Sequence, residues 1–237
     1  MLLERTTKLV ADIGQFAKMK RSAGEAKALQ TRAEQLSPVA EKLVESAETL
    51  AKIRKAGIVV SFVPKEGDDL GKRATDLLTA LRADPNNLVN PTIDLKYQFI
   101  DRLLSVAAAA QSVSLAAWQR HVAENSEHAP EEILSALAAI PDYQSTVAKI
   151  RSLQKRVSQL AETVPADPAS ATEEIKRIAA EHREIWEMLT AGGIPEDVAG
   201  FLRACGLEGA TLGSFTPSVA AWLGERGLVH LFRVKLR

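Results

Sequence analysis

The sequence predicts an all-α protein: an elongated helical bundle with coiled-coil segments and a small C-terminal helical unit that carries a short β element. Three observations lead to this prediction. Apolar residues recur with a seven-residue period in two parts of the chain, and only two short segments show the pattern of a strand. Aromatic residues are also scarce, at 5% of the chain, whereas a β-sandwich would need more Val, Ile, Tyr and Phe.

The clearest period is a repeat of leucine and alanine near the start of the chain, which we call the N-terminal seam. Its residues follow one another at alternating spacings of four and three: Leu29, Ala33, Leu36, Ala40, Leu43, Ala47 and Leu50. Such a repeat keeps one narrow apolar stripe facing a partner helix as the two helices supercoil. The seam therefore predicts a contact with a later helix of this chain, with a second copy, or with another protein.

Changes in period and composition divide the chain into four segments. We expect an N-terminal coiled-coil region at residues 1–57, a central helical core at 58–141, an antiparallel helical hairpin at 142–191 and a small C-terminal helical unit at 192–237. The pair Gly192-Gly193 marks the clearest of these boundaries, because adjacent glycines interrupt regular structure and favour turns.

The first segment is expected to be helical over residues 2–56. Pro38 lies inside the seam, where a proline removes a backbone hydrogen bond and clashes with the preceding turn. Ser37 is a good N-cap and proline suits the first helical position, so we expect either a kink here or two abutting helices. Gly57 then ends the region, since glycine readily adopts the conformation that closes a helix.

Residues 58–63, Ile-Val-Val-Ser-Phe-Val, are the first break from the helical period. They are mostly β-branched and Pro64 follows them, so they predict a strand or an extended apolar link. A short helix at residues 70–83 and a long core helix at residues 93–123 come next, each bounded by a loop that contains proline.

The last two segments differ in character. Two heptad helices joined by the proline-containing connection 165–168 predict the antiparallel hairpin. In the C-terminal unit, helices at residues 195–205 and 217–225 precede Gly227. Residues 228–236 then include alternating apolar and basic side chains, which predicts a half-buried strand with a basic outer face.

Charge and hydropathy limit the partners of the chain. Its 237 residues include 30 basic and 30 acidic ones, so the whole chain is not a polycation drawn to nucleic acid or anionic membranes. Charged residues interrupt the apolar N-terminus, and no run approaches the ~20 apolar residues of a membrane span. One cysteine, Cys205, cannot form an intramolecular disulfide. We therefore expect a cytoplasmic protein without membrane contact.

No motif in the chain specifies a reaction. Residues 67–72 follow a strand-like segment and precede a helix, but their glycine spacing and the Arg73 after Lys72 do not fit a phosphate-binding loop. No two histidines have the i, i+4 spacing of a helical zinc motif, and no Gly-x-Ser-x-Gly elbow marks a nucleophile. We therefore expect no enzymatic activity, no cofactor and no metal site.

His182 lies on the heptad seam of the predicted hairpin. A polar residue at such a position lowers stability but can fix the register of packed helices, and a histidine can also make the packing sensitive to pH. We expect a register-setting or partly exposed side chain here.

Together these features favour a non-catalytic helical adaptor or scaffold subunit of a cytoplasmic multiprotein assembly, which binds protein partners or itself through helical seams. The alternative is a nucleic-acid-binding accessory or regulatory protein. Helix, turn, helix and strand in the C-terminal unit have the outline of a winged-helix module, in which Arg233, Lys235 and Arg237 are the candidate contacts. The second helix of that outline offers few side chains able to read base edges, so protein docking is the preferred interpretation.

Overall fold

The computed structural model describes residues 2–19, 23–88, 94–138, 140–191, 194–207 and 210–232. The protein is 83% helical, and no residue in these ranges belongs to a β-strand. The all-α prediction is therefore confirmed, and the helical share is more than twice that of an average globular protein.

Nine α-helices lie in the described ranges. They are α1 (Leu2–Met19), α2 (Ala23–Lys55), α3 (Gly67–Ala83), α4 (Asp101–Asn125), α5 (Glu131–Ala138), α6 (Gln144–Glu162), α7 (Pro168–Ala191), α8 (Glu196–Leu207) and α9 (Pro217–Glu225). A π-helical turn, Lys96–Ile100, leads directly into α4. Short 3₁₀ turns lie at Pro85–Leu88, Pro141–Tyr143, Leu212–Ser214 and Val229–Leu231.

The chain folds into two compact units, Met1–Trp118 and Gln119–Arg237. Their boundary falls inside α4, so this division is coarser than the four segments predicted from the sequence. Buried residues on both sides of Gly192-Gly193 belong to one hydrophobic cluster.

In the first unit, α1 packs against α2 and α3. Apolar residues three or four positions apart place one stripe of each helix against the others. The core also takes in the π-helical turn and the start of α4, and its buried members include Leu9, Ile13, Leu29, Leu36, Leu43, Leu70, Leu77, Leu81, Phe99 and Leu103.

The N-terminal region is helical, as expected over residues 2–56, but its two helices do not abut at Pro38. It contains two helices, α1 and α2, and the residues between them lie outside the described ranges. α2 passes through Pro38 without ending, and Ser37 does not cap it, because its Oγ donates to Glu41 Oε1 at 3.1 Å. Leu36 and Ala40 are buried on either side of the proline, and this packing offsets the lost backbone hydrogen bond.

Gly57 closes α2, as the sequence predicts. Its φ of 79° lies in the left-handed region, which glycine enters without steric cost. The N–H of Gly57 donates to the carbonyl of Arg54, and the N–H of Ile58 donates to the carbonyl of Ile53. This is a Schellman motif, and the two buried isoleucines supply the apolar contact that usually accompanies it.

The predicted strand at residues 58–63 does not form. Residues 58–64 contain no helix, turn or bend, and no backbone–backbone hydrogen bond joins residues 59–63 to any other described residue. A strand needs a second strand to satisfy its backbone groups. The extended link, which was the alternative prediction, is what the structure contains.

The second unit is built on α6 and α7, which pack against each other. α8 and α9 add to the same core, whose buried members include Ile150, Leu153, Ile178, Trp186, Val198, Phe201, Val219, Trp222 and Leu223. The ring of Phe201 contacts the rings of Phe215 and Phe232, with centroid separations of 5.5 and 5.7 Å. These aromatic contacts bring the end of the described chain back onto α8.

The C-terminal β element is absent from the described residues. Thr216 caps α9 by accepting the N–H of Val219 at 3.2 Å, and Gly227, with a φ of 65°, follows the helix as predicted. Val229–Leu231 is then a 3₁₀ turn, and a chain that turns here cannot begin the strand expected at residues 228–236. Residues 233–237, the rest of that strand, lie outside the described residues.

Candidate functional site

The N-terminal seam is buried inside the first unit. Its leucines and one alanine are at most 8% exposed, and the other two alanines are partly buried: Leu29, Leu36, Ala40, Leu43 and Leu50 form the first group and Ala33 and Ala47 the second. Leu29, Leu36 and Leu43 share a core with residues of α1 and α3. In this structure the seam meets helices of its own chain, and its leucines are not accessible to a protein partner.

A buried serine of α2 lies against α4. Ser46 Oγ donates to the carbonyl oxygen of Lys42 at 2.7 Å and lies 3.4 Å from the carbonyl oxygen of Ala107. The hydroxyl has one proton, which it donates to the nearer acceptor, so the contact with Ala107 is the weaker of the two. Ala107 is itself buried, and its small side chain allows the two helices to approach closely.

The opposite side of α4 is a stripe of small residues open to solvent. Its exposed members recur every three or four positions, and they are Ser105, Ala108, Ala109, Ser112 and Ala116. Residues with this spacing lie on one face of a helix. Between Ser105 and Ala116, this face of α4 therefore carries only small side chains.

A groove of about 540 Å³ lies between this face and the residues that precede α3. Both of its walls are largely apolar: Ser105, Val106 and Ala109 stand on the α4 side, and Phe62, Val63 and Pro64 stand opposite. Small side chains on one wall and larger ones on the other leave room for side chains of a bound segment.

Charged groups at the groove are balanced. Arg102 Nε lies 2.7 Å from Glu66 Oε2, and both side chains are partly exposed. Lys65 and Asp101 line the same groove. An exposed ion pair contributes at most about 1 kcal/mol, so these groups favour neither a strongly acidic nor a strongly basic partner.

The most exposed large apolar side chains of the described residues are Val59 and Val63, and Val63 lines the groove. Val59 is 88% exposed and Val63 is 82% exposed. Single exposed apolar residues are common on protein surfaces, but here two lie in one short segment, and one of them lines an apolar groove. Apolar surface of this kind is typical of an interaction site.

Among the described helices, the one over Lys96–Asn125 is long and apolar enough to cross a membrane, with a mean hydropathy of 1.2 in its most apolar window. Gln111 and several serines interrupt this helix, so no uninterrupted apolar run marks it in the sequence. Core helices of soluble proteins pass the same test, although only 33% of this window is buried.

The predicted nucleic-acid contacts Arg233, Lys235 and Arg237 lie outside the described residues. The nearest described arginine, Arg226, contacts residues of its own helix. Its guanidinium lies 4.2 Å from the ring centroid of Trp222 and donates to the carbonyl oxygen of the same tryptophan at 3.2 Å. The end of α9 therefore offers no free arginine to a nucleic acid in this arrangement.

His121 belongs to a hydrogen-bond network that joins α4 to the start of α7. Thr172 Oγ1 donates to the carbonyl oxygen of Pro168 at 2.8 Å, so its hydroxyl is left to accept from His121 Nε2 at 3.0 Å. The other ring nitrogen, Nδ1, then accepts from Asn125 Nδ2 at 3.3 Å. The ring of His121 therefore bridges Thr172 and Asn125, and the network holds the two helices together.

His182 lies on α7 and is buried, with 6% of its surface exposed. The expectation of a partly exposed side chain is therefore not met. The Nε2 of His182 has no hydrogen-bond partner among the described residues, and its ring stacks on Trp186 at a centroid distance of 6.4 Å. Burial lowers the pKa of this histidine; Glu127 opposes the shift and His128 adds to it. The ring is therefore held neutral in the core.

The other perturbed groups have structural explanations. Burial raises the pKa of the half-buried Cys205 thiol, which reduces its thiolate fraction and its reactivity. Hydrogen bonds from Ser218 and Thr216 lower the pKa of Asp197, and Thr216 Oγ1 lies 3.0 Å from Asp197 Oδ2. This contact ties the beginning of α8 to the beginning of α9.

Within the described ranges, no three His, Cys, Asp or Glu side chains come together as a metal site requires. The groove was not predicted from the sequence, because its two walls are separated by about forty positions in the chain. The β-branched run at residues 58–63 was the sequence feature that could have indicated one wall of the groove. No protein-family model matches the chain, and no curated protein or solved structure is significantly similar to it.

Proposed function

We propose that this chain is a non-catalytic helical adaptor or scaffold subunit of a cytoplasmic multiprotein assembly. The observation that carries the proposal is the apolar groove between α4 and residues 62–64, together with the open small-residue face of α4. The proposal includes an elongated bundle in which the heptad segments pack as coiled coils, so that rigid helices present the binding face.

Because the N-terminal seam is buried, we place the protein partner at the groove. A partner cannot reach the leucines of the seam without unfolding the first unit, whereas the groove is open. Its small wall residues permit the close approach of another polypeptide, and its balanced charges do not favour a nucleic acid over a protein. A protein partner that contributes apolar side chains fits these properties best.

A substitution in the groove tests this proposal. Ala109→Arg places a long charged side chain in the α4 wall, while Ala108→Arg makes the same change on an exposed neighbour that does not line the groove. Both variants should fold, because both positions are exposed. We expect the chain and its Ala108→Arg variant to co-purify with the same protein from the native cell, and Ala109→Arg to lose it.

Two results would contradict the groove as the docking site: retention of the same partner by Ala109→Arg, or its equal loss from both variants. Nucleic acid recovered in place of protein would favour the alternative function. In that case, neutralising Arg233, Lys235 and Arg237 together should weaken binding and flatten its salt dependence, since fewer counterions would be released. We expect no such effect.

A further inference from the structure

The backbone of residues 59–63 is open to pairing. No described residue exchanges a backbone–backbone hydrogen bond with this stretch. One carbonyl, that of Val60, receives a long contact of 3.5 Å from Arg54 Nε. The N–H and C=O groups of an unpaired extended segment are what an incoming strand uses when it adds to a protein.

Side-chain exposure alternates along this segment as it does in a strand on a protein surface. Ile58 is buried and Val60 and Phe62 are partly covered, whereas Val59 and Val63 are 88% and 82% exposed. Full burial of an exposed valine is worth about 1.5–3 kcal/mol. Contact with a second apolar strand would therefore favour association.

The segment is complementary to itself when two copies run antiparallel. A two-fold axis at Ser61 places Val59 of one copy opposite Val63 of the other, and the second pair of valines is related to the first by symmetry. Apolar β-branched pairs directly opposite each other stabilise antiparallel strands. A two-fold interface uses the same surface on both copies, so it needs no other protein.

The charges at the two ends of the segment favour the same orientation. Three exposed basic residues precede it and three exposed acidic residues follow it: Lys52, Arg54 and Lys55 end α2, and Glu66, Asp68 and Asp69 lie at the start of α3. Lys65 offsets one of these acids and Arg102 pairs with Glu66, so only a small negative charge remains at the second end. Antiparallel pairing brings unlike ends together, whereas parallel pairing would bring like ends together.

We propose that residues 58–63 join two copies of this chain as a two-fold, antiparallel pair of strands centred on Ser61. The pairing satisfies open backbone groups and covers the exposed valines at the same time. Two short strands bury a small area, so the product is a weak dimer whose population rises with concentration. This proposal goes beyond the adaptor function, and it uses the backbone and outward valines of the segment, not the α4 wall of the groove.

Sedimentation of the full chain over a range of concentrations tests the dimer. We expect Val59→Lys together with Val63→Lys to weaken dimerisation about tenfold or more, which corresponds to at least ~1.4 kcal/mol. Met188→Lys is the matched control, because Met188 is 62% exposed on α7, and it should leave the dimer unchanged. Ala109→Arg should also keep the dimer, which separates this proposal from the groove proposal.

A cross-link tests the register. In a pair centred on Ser61, the two serines lie directly opposite each other, with Cβ atoms about 4.5–5.5 Å apart, which is close to the reach of a disulfide. With Cys205→Ser in the background, Ser61→Cys should therefore form a covalent dimer on mild oxidation. Ser152→Cys, at an exposed position of α6, should not.

Three outcomes would overturn the proposal. The first is a chain that stays monomeric at every concentration. The second is equal cross-linking of Ser61→Cys and Ser152→Cys. The third is a monomeric chain that loses a different protein when the two valines are changed, which would assign the segment to that protein.

Discussion

At the scale of single residues, buried hydroxyl groups form hydrogen bonds to the backbone of their own helices. The buried hydroxyls of Ser46 and Ser114 donate to carbonyl oxygens four residues earlier in their own helices, at 2.7 Å in each case. His182 is one of three exceptions among the buried polar groups of the described residues, because its Nε2 lacks a hydrogen-bond partner, as do Arg73 Nε and Trp222 Nε1. An unpartnered buried polar atom lowers stability, so His182 should respond to both pH and substitution.

The lowered pKa of His182 makes stability depend on pH. The unfolded histidine gains a proton as the pH falls through about 6.5, whereas the folded ring resists protonation until the pH is lower. The contribution of His182 to the free energy of unfolding is therefore present at neutral pH. It is lost as the pH falls from the pKa of the unfolded histidine towards the lower pKa of the folded one. His182→Leu should remove this part of the acid-induced loss.

The measurement is urea unfolding of the protein and its variants between pH 7.5 and pH 5, with the free energy of unfolding compared at each pH. His230→Gln is the control, because His230 is exposed, and it should leave the pH dependence of the protein intact. An unchanged pH dependence in His182→Leu would show that His182 does not cause it.

Leu43 tests the packing of the N-terminal seam. Its side chain is 6% exposed in the core of the first unit, so Leu43→Ala should lower the free energy of unfolding by about 2–5 kcal/mol. Leu212→Ala is the matched control. Leu212 is 61% exposed, and the same truncation there should change stability by less than ~0.5 kcal/mol. Equal effects in denaturant titrations would contradict the packing of the seam.

At the scale of elements, helix ends follow local chemistry closely. Gly57 and Gly227 both adopt positive φ, and both close helices with the same pair of hydrogen bonds, since Leu228 N donates to Leu223 O just as Ile58 N donates to Ile53 O. The geometry needs a residue without a Cβ at one position only. A glycine within the helix has no such role.

Gly224 and Gly227 provide a matched test at the end of α9. A Cβ at either position would have nothing within 4 Å, but only Gly227 has positive φ. Gly227→Ala should therefore lower stability by about 1–2 kcal/mol, whereas Gly224→Ala should raise it by about 0.5–1 kcal/mol. Thermal unfolding of both variants measures the difference, and effects of the same sign would contradict the assigned helix end.

At the scale of the whole molecule, the two compact units are each organised around their own hydrophobic cluster. The first unit includes the beginning of α4 in its core, with Phe99, Leu103 and Ala107 buried there. This packing explains part of the apolar character of the helix over Lys96–Asn125, because residues at its beginning belong to the core. To enter a bilayer, the helix would have to leave that core and expose the residues that cover it.

We therefore expect the chain to stay in solution when it is mixed with vesicles of neutral and anionic phospholipids. Flotation on a density gradient measures this, and a protein with an established membrane-spanning helix serves as the control. The chain should be recovered from the bottom fractions at both low and high salt. Flotation that survives high salt would show that α4 inserts, since salt screens only the electrostatic attachment.

Local patterns made much of the fold predictable. The composition and the helical periods indicated an all-α chain, and Gly57 and Gly227 marked the ends of α2 and α9. These predictions succeeded because helix formation and capping depend on residues within one or two turns. The groove was not predictable in the same way, because Phe62 and Ala109 meet only after the chain has folded.

The sequence by itself determined where helices form and which of their faces are apolar. Only the tertiary structure decided that the seam of Leu29, Leu36 and Leu43 is covered by the chain's own helices, that Pro38 stays inside α2, and that residues 58–63 remain without a partner strand. The physical reason is that periodicity shows which side of an element avoids water, but not what covers it. That choice depends on contacts between residues far apart in the chain, whose closure entropy and packing energy no local pattern contains.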